Sequence, residues 1–336
     1  MGKNAREKTP FVSVCTPTFN RRPFIPTMFE CFRNQNYPKS QIEWIIVDDG
    51  TDKIEDLTKT SGIKQIKYFA LEKKLTLGAK RNFMHEKARG SIIVYMDDDD
   101  YYPPDRISHA VETLLKNPRA LCAGSSEIYV YFKHIQKMIQ FGPYGPNHAT
   151  AGTFAFRREL LAKTKYDETA TFAEERVFLK NYTIPFVQLD PLKSILVFSH
   201  NHNTFDKRKL LNAEPNQYMR ESEKTIDAFI RLDAEKVIKR FFMEEIDGLL
   251  ENYEPGEPKM KPDVMEQLKE VDEERKVQQR RQHIIEKPGE APRRMTVDEI
   301  ADALYLQKKL NGLLLDKLKT QEKIIQDLRK EIEENK

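Results

Sequence analysis

The first hundred residues alternate short apolar runs with longer amphipathic stretches. The runs 11–16 (FVSVCT), 43–48 (EWIIVD), 66–70 (IKYFA) and 92–97 (IIVYMD) are rich in β-branched and aromatic residues and close on polar or turn residues, which predicts buried strands. Between them, 24–36, 54–60 and 77–89 carry helical patterns. Strands that alternate with helices predict parallel pairing through right-handed crossovers, and in such sheets ligands sit beyond the carboxyl ends of the strands. The polar motifs fall there: TPTFNR after the first strand, DDGTD after the second and DDDD after the fourth.

Beyond residue 120 the pattern becomes mixed. An alternating strand is predicted at 128–132 (IYVYF), then the turn-rich FGPYGPNHATAG, a short strand TFAF, a helix around 172–180 and a strand at 195–199. The predicted organisation is a disordered N-terminus at 1–8, an α/β domain at 9–215 and a helical extension at 216–253. Apolar positions such as Ile226, Phe229, Ile230, Val237 and Phe241 recur in that extension at helical intervals. Residues 254–294 are charged and Pro-rich, a linker carrying a polar helix, and 295–336 form a C-terminal helix. In that helix Leu304, Asn311, Leu318, Ile325 and Ile332 share one heptad position, and Leu314 and Leu328 occupy the other with Gln307 and Gln321. Such a seam suits a coiled coil, so a homo-oligomer through this helix is expected.

Charge and cysteine content remove several function classes. A net charge of +3, from 56 basic and 53 acidic residues, gives no overall field to hold a polyanion, so nucleic acid is not an expected partner. The three cysteines lack CxxC spacing, which argues against a disulfide framework or a structural zinc site. No run is long and apolar enough to cross a bilayer, and the expectation is a cytoplasmic protein, soluble or peripheral to a membrane.

The sharpest chemical signal is Asp97-Asp98-Asp99-Asp100, which directly follows an apolar strand and precedes YYPP. Adjacent carboxylates repel one another strongly in a partly buried site and are tolerated chiefly where a divalent cation neutralises them. Alternate side chains at a strand end share a face, so Asp97 and Asp99 can converge while Asp98 points elsewhere. That spacing suits Mn2+ or Mg2+ bridging phosphate oxygens.

In order and spacing, PTFNR, VDDGTD, LGAKRN, ARGSIIVYMDDDD and YYPP resemble the inverting family-2 glycosyltransferases of the GT-A fold, over about residues 9–205. The resemblance implies a GT-A mixed α/β sheet flanked by helices, with the helical C-terminal extension outside it. It also implies transfer of a sugar from a nucleotide-diphosphate sugar to an acceptor hydroxyl of a glycan or glycoconjugate. By the same resemblance Thr16, Pro17, Thr18 and Asn20 line the base and ribose, and Asp48 or Asp49 accepts from the base, which favours a UDP-sugar. Lys80, Arg81 and Asn82 reach the nucleotide or diphosphate, with Asp97 and Asp98 also on the donor side, and Asp97 and Asp99 hold the metal. Glu175 is the base and Glu174 its neighbour, in the place where the family usually has Glu-Asp. Either His200 or His202 adds a metal ligand. Gly152 and Thr153 leave room for the acceptor sugar. The aromatics Tyr101, Tyr102, Tyr144, Phe154 and Phe172 are compatible with sugar stacking, although such residues more often belong to a core.

Two other readings remain open. A nucleotidyltransferase of related fold would carry a Gly-rich basic phosphate loop after the first strand, where this chain has TPTFNRRP. An inactive sugar-nucleotide-binding scaffold would work through its coiled coil.

Overall fold

The computed structural model describes residues 9–171, 175–212, 217–281, 284–285 and 293–334. The chain divides into two compact units, 1–265 and 266–336.

Unit 1 is built on strands β1 (Val12–Thr18), β2 (Ile42–Asp48), β3 (Ile66–Ala70), β4 (Ile92–Tyr95), β5 (Cys122–Gly124), β6 (Ile128–Phe132), β7 (Lys137–Phe141), β8 (Ala155–Arg157), β9 (Phe186–Gln188), β10 (Val197–Ser199) and β11 (Met219–Glu221). Its helices are α1 (Ile25–Arg33), α2 (Glu55–Thr60), α3 (Leu77–Lys87), α4 (Arg106–Lys116), α5 (Glu175–Phe178), α6 (Lys236–Arg240) and α7 (Ile246–Glu251). A π-helical stretch, Phe241–Glu245, joins the last two.

The large sheet has the order β3-β2-β1-β4-β8-β5-β9. Its first four strands are parallel and β8 runs against both β4 and β5. This is the mixed α/β sheet expected from the sequence. The parallel strands read as continuous apolar runs because both faces are covered. Val12, Val14, Trp44, Ile46, Ile92 and Val94 pack on one side with α1 and α4. Cys15, Ile45, Val47, Ile93 and Tyr95 pack on the other with Met84 and Ala88. All three cysteines are buried free thiols. The register pairs Thr18 with Asp48 and Cys15 with Tyr95, so the three polar motifs emerge along one edge of the sheet.

A second sheet, β10-β6-β7-β11, continues the core. The region expected as a helical extension begins instead with β11 and two short 3-10 turns, and regular helix starts only at Lys236. Ile226, Phe229, Ile230 and Phe241 are buried, whereas Val237 is 53% exposed and Ile238 takes the inward position. Phe242 stacks on Phe198 with ring centroids 4.1 Å apart. This region is therefore part of the same core. Residues 254–265, expected as linker, also lie within unit 1.

The boundary between the units falls inside α8 (Pro262–Arg281). Unit 2 also holds the two-stranded sheet β12 (Ile284–Ile285) and β13 (Arg293–Arg294) and the 38-residue helix α9 (Val297–Glu334). Leu304, Leu314, Leu318, Ile325 and Leu328 of α9 are all at least half exposed. Among the described residues, no helix is long and apolar enough to cross a membrane.

Candidate active site

The carboxyl edge of β1, β2 and β4 opens into a cleft of about 290 Å3 that adjoins a second lobe of about 170 Å3. Phe19, Lys80, Arg81, Asp97, Thr204 and Lys261 line both lobes. Gly152 and Glu175 belong to the first, and Pro17, Thr18, Arg21, Asp98 and Asp99 to the second.

The backbone after β4 is braced on three sides. The buried Arg106 donates to the carbonyls of Tyr95 and Phe154 at 3.1 and 2.8 Å. The Asp97 N–H donates to the Tyr102 hydroxyl at 2.8 Å, and that hydroxyl donates to the Gly152 carbonyl at 3.2 Å. Tyr101 donates to Glu235 at 2.6 Å and so ties the motif to the C-terminal part of unit 1. Tyr101, Tyr102 and Phe154 are thus core residues, Tyr144 is exposed, and Phe172 lies outside the described residues. Among the described residues, the aromatics that line the cleft are Phe19 and Phe205.

Arg21 neutralises part of the acidic run, with Nη2 3.2 Å from Asp99 Oδ2 and Nε 3.7 Å from Asp98 Oδ1. Burial and the neighbouring Asp99 push the Asp98 carboxyl up to about 7. Burial opposes ionisation of Asp99 too, but Arg21 and His200 hold its carboxyl well below the usual range. Burial and Asp99 drive Asp100 well upward. Among the described residues, Asp98 Oδ2 and Asp100 Oδ1 are buried without a hydrogen-bond partner. The run therefore carries more negative charge than its neighbours compensate, a deficit that a cation would relieve.

His200 places Nε2 3.5 Å from Asp99 Oδ2 and 2.8 Å from Asn203 Nδ2. Burial pushes it down to about 4, so it is neutral near pH 7, the form that ligates metals. His202 instead stacks on Tyr253 at 6.1 Å between centroids. Among the described residues, no three His, Cys, Asp or Glu side chains stand assembled as a metal cage.

Helix α3 delivers the basic pair. Thr76 caps it by accepting from the Ala79 N–H at 3.1 Å. A Cβ at Gly78 would lie 1.9 Å from the Asp167 carbonyl oxygen, so only glycine lets the first turn seat there. The chain then places Lys80 against Asp49 and stacks Arg81 over Tyr95 with 4.6 Å from Cζ to the ring centroid. Burial lowers the Lys80 pKa, against the pull of Asp49. At the far wall, Glu175 opens α5 and its Oε1 accepts from the Ala151 N–H at 3.1 Å. Glu174 lies outside the described residues.

Several expected donor-site residues are occupied by the protein itself. Thr16 donates to the Met96 carbonyl at 2.6 Å and accepts from Trp44 at 2.9 Å. Asp48 accepts from the N–H groups of Gly50 and Ile54 and from Tyr68. Asp49 takes Lys80 on one oxygen and the Leu75 N–H on the other. Asn82 clamps the backbone of Tyr166 through both ends of its amide. Asn20 ties the 51–52 backbone and side chain to the Pro255 carbonyl. Thr153 is buried and its hydroxyl joins Thr150 to Ser125. In turn, sequence reasoning missed Phe19, Arg21, Lys74, Thr204 and Lys261. PTFNRRP held a signal for the first two, whereas Lys261 sits in a stretch whose composition reads as linker.

The family described as Glycosyl transferase family 2 matches residues 13–176. An uncharacterized glycosyltransferase of Haemophilus influenzae is 29% identical over 119 residues, 34% of this chain and 47% of that protein. The Methanococcus voltae dolichyl N-acetyl-alpha-D-glucosaminyl phosphate 3-beta-D-2,3-diacetamido-2,3-dideoxy-beta-D-glucuronosyltransferase is 31% identical over 108 residues, 31% of this chain and 33% of that protein. The chain thus spans less than half the length of the curated relatives it matches. Among solved structures, a mannosyltransferase from Pyrobaculum calidifontis in complex with GDP-Man and Mn2+ aligns with TM-score 0.47 at 16% identity, covering 62% of this chain and 66% of that one. TarS 1-349 of S. aureus in complex with UDP-GlcNAc aligns with TM-score 0.44 at 18% identity, covering 61% and 68%. Residues 13–176, which hold the five motifs, are thus similar to glycosyl transferase family 2.

Proposed function

We propose that this chain is a metal-dependent, inverting glycosyltransferase that moves a sugar from a nucleotide-diphosphate sugar to the hydroxyl of a glycan or glycoconjugate. The observation that carries the reading is a single cleft lined by Asp97, by the cations Lys80, Arg81 and Lys261, and by a carboxylate, Glu175, on the far wall. Inversion needs a base on the face opposite the leaving group, and Glu175 is the candidate to take the acceptor proton. The Ala151 N–H holds one of its oxygens.

The donor set fits Mn2+ or Mg2+. Such ions are commonly held by one or two carboxylates with phosphates and water completing the shell, so an absent three-residue cage is no obstacle. Asp97 and Asp99 would hold the ion, with His200 beside Asp99 as the added ligand in place of His202. When bound, it would stabilise charge on the departing diphosphate. Lys80 and Arg81 supply positive charge to the same group.

The preference for a UDP-sugar rested on Asp48 or Asp49 receiving the base. Both carboxylates are committed to protein donors, so the test covers UDP- and GDP-sugars alike. A thermal-shift screen of nucleotide sugars with and without Mn2+ reads binding by mass action. A Mn2+-dependent rise in unfolding temperature with one donor, lost in Asp99→Asn, is expected. Equal metal-dependent shifts in the two proteins would remove Asp99 from the metal site, and no shift with any donor would sink the reading.

The exposed apolar positions of α9 support self-association of that helix, in line with its heptad pattern.

A further inference from the structure

Residues 253–264 lie as a strap across the loop that follows β1. The Tyr253 hydroxyl donates to Asp52 at 2.8 Å, and the carbonyls of Pro255 and Gly256 accept from Asn20 and Arg21 at 2.8 and 3.4 Å. Contact is so close that a Cβ at Gly256 would lie 2.7 Å from His202 Nδ1 and 2.8 Å from the Asn20 carbonyl oxygen. Lys74 and Asp263 pair at 2.6 Å and fix the end of the strap against the cleft.

The strap brings Lys261 into both lobes of the cleft. Its ammonium stands 5.6 Å from the centroid of the Phe19 ring, beside Lys74 at 5.5 Å and Lys80 at 5.9 Å. Three other cations of the cleft are matched: Lys80 by Asp49, Lys74 by Asp263, and Arg21 by Asp98 and Asp99. Lys261 has the Thr204 hydroxyl at 2.7 Å and, among the described residues, no carboxylate within ion-pair distance. An ammonium has three N–H donors, and a half-buried one with a single hydroxyl partner is poorly compensated. Three ammonium groups round one aromatic ring suit a compact polyanion better than a neutral sugar.

We infer that Lys261 is a donor-binding residue: with Lys74, Lys80 and the Phe19 ring it forms the pocket for the diphosphate of a nucleoside diphosphate sugar. The inference rests on the donor reading above and deepens it. It places an essential part of the donor site in the C-terminal strap, outside the family-matched residues 13–176. The strap is then the closing wall of the site, and Lys261 the charge that the bound diphosphate completes.

The test uses the full chain, with calorimetric binding of UDP and GDP in Mn2+, and uridine and guanosine followed by competition. Lys261→Met and Lys261→Gln should each weaken the preferred diphosphate by about tenfold, the scale of one charge-assisted contact to phosphate. Nucleoside affinity and the unfolding midpoint should stay at wild-type values. Gln retains a hydrogen bond to Thr204, so a loss shared by both variants follows the charge. Unchanged diphosphate affinity in either variant overturns the inference while leaving the donor reading intact. An equal loss of nucleoside affinity overturns it too, since that would mark a strap that only shapes the cleft. A wild-type protein that binds neither diphosphate sinks the donor reading itself.

Discussion

Gly152→Ala isolates the position of Asp97 from the stability of the fold. A Cβ at Gly152 would stand 2.9 Å from Asp97 Oδ2, 3.3 Å from Ile195 Cδ1 and 3.5 Å from the Tyr102 hydroxyl. The first distance lies roughly half an ångström inside an ordinary contact. The Asp97 N–H is fixed on Tyr102, so relief has to come from rotation of the carboxylate. A misplacement of about 1 Å at a reacting centre can cost on the order of 100-fold, so half of that predicts about a tenfold loss in kcat/KM. This corresponds to about 1.4 kcal/mol of transition-state stabilisation. Stability should hardly move, because Gly152 does not occupy the left-handed region and alanine restricts the unfolded chain by about 0.4–1 kcal/mol in its favour. The assay is steady-state transfer with a Mn2+ titration, alongside a thermal melt. Wild-type kcat/KM and metal response in Gly152→Ala would refute the role given to Asp97. A loss of activity matched by a collapse of the melting temperature would refute the claim that the two effects separate.

Glu175→Gln should abolish transfer while leaving nucleotide affinity within about twofold of wild type, since the amide keeps an acceptor for the Ala151 N–H but no longer takes a proton; an active variant would move the base elsewhere. Burial, helped by the Arg81 guanidinium, pushes His85 down to about 3, so below its unfolded value near 6.5 the unfolded chain binds the extra proton and stability falls as pH drops. At pH 5 this costs about 2 kcal/mol, and denaturant titrations at pH 7 and pH 5 should show wild type losing that much more than His85→Gln; parallel losses would contradict it. Replacing Leu314 and Leu318 together by Asp should turn a self-associated protein into a monomer on sedimentation, with transfer to a soluble acceptor kept; a wild type that already sediments as a monomer would dispose of the coiled coil.

The parallel half of the fold was legible because two-sided burial writes itself as uninterrupted apolar strands, as in EWIIVD and IIVYM. The rest was harder for stated reasons. Strands β5 and β9 are three residues long, too short for a period to register, and they form through pairing with distant partners. Residues 216–235 carry helical spacing, yet β11 pairs with β7 there and tertiary contact decides the outcome. At the site, the acidic run, Lys80, Arg81 and Glu175 were readable as motifs, and the structure gathers Asp97, Lys80, Arg81 and Glu175 round one cleft, with Asp98 and Asp99 in the adjoining lobe. Which acid faces the cleft and which caps a turn was not readable. Asp48 ends one buried strand and Asp97 follows another, but Asp48 is satisfied by Gly50, Ile54 and Tyr68.

The same contrast explains how the cleft can hold so many charges without a ligand. Asp49, Asp99 and Asp263 each have a cation, which makes the preformed site affordable and fixes these side chains in place. Among the described residues, what the protein leaves incomplete is complementary: carboxylate oxygens on Asp98 and Asp100 without donors, and an ammonium on Lys261 without a carboxylate within ion-pair distance. A cation and a diphosphate bound together would answer both deficits at once, and each alone would answer only one. Binding of the two should therefore be cooperative, each tightening the other by the same factor, as linkage requires.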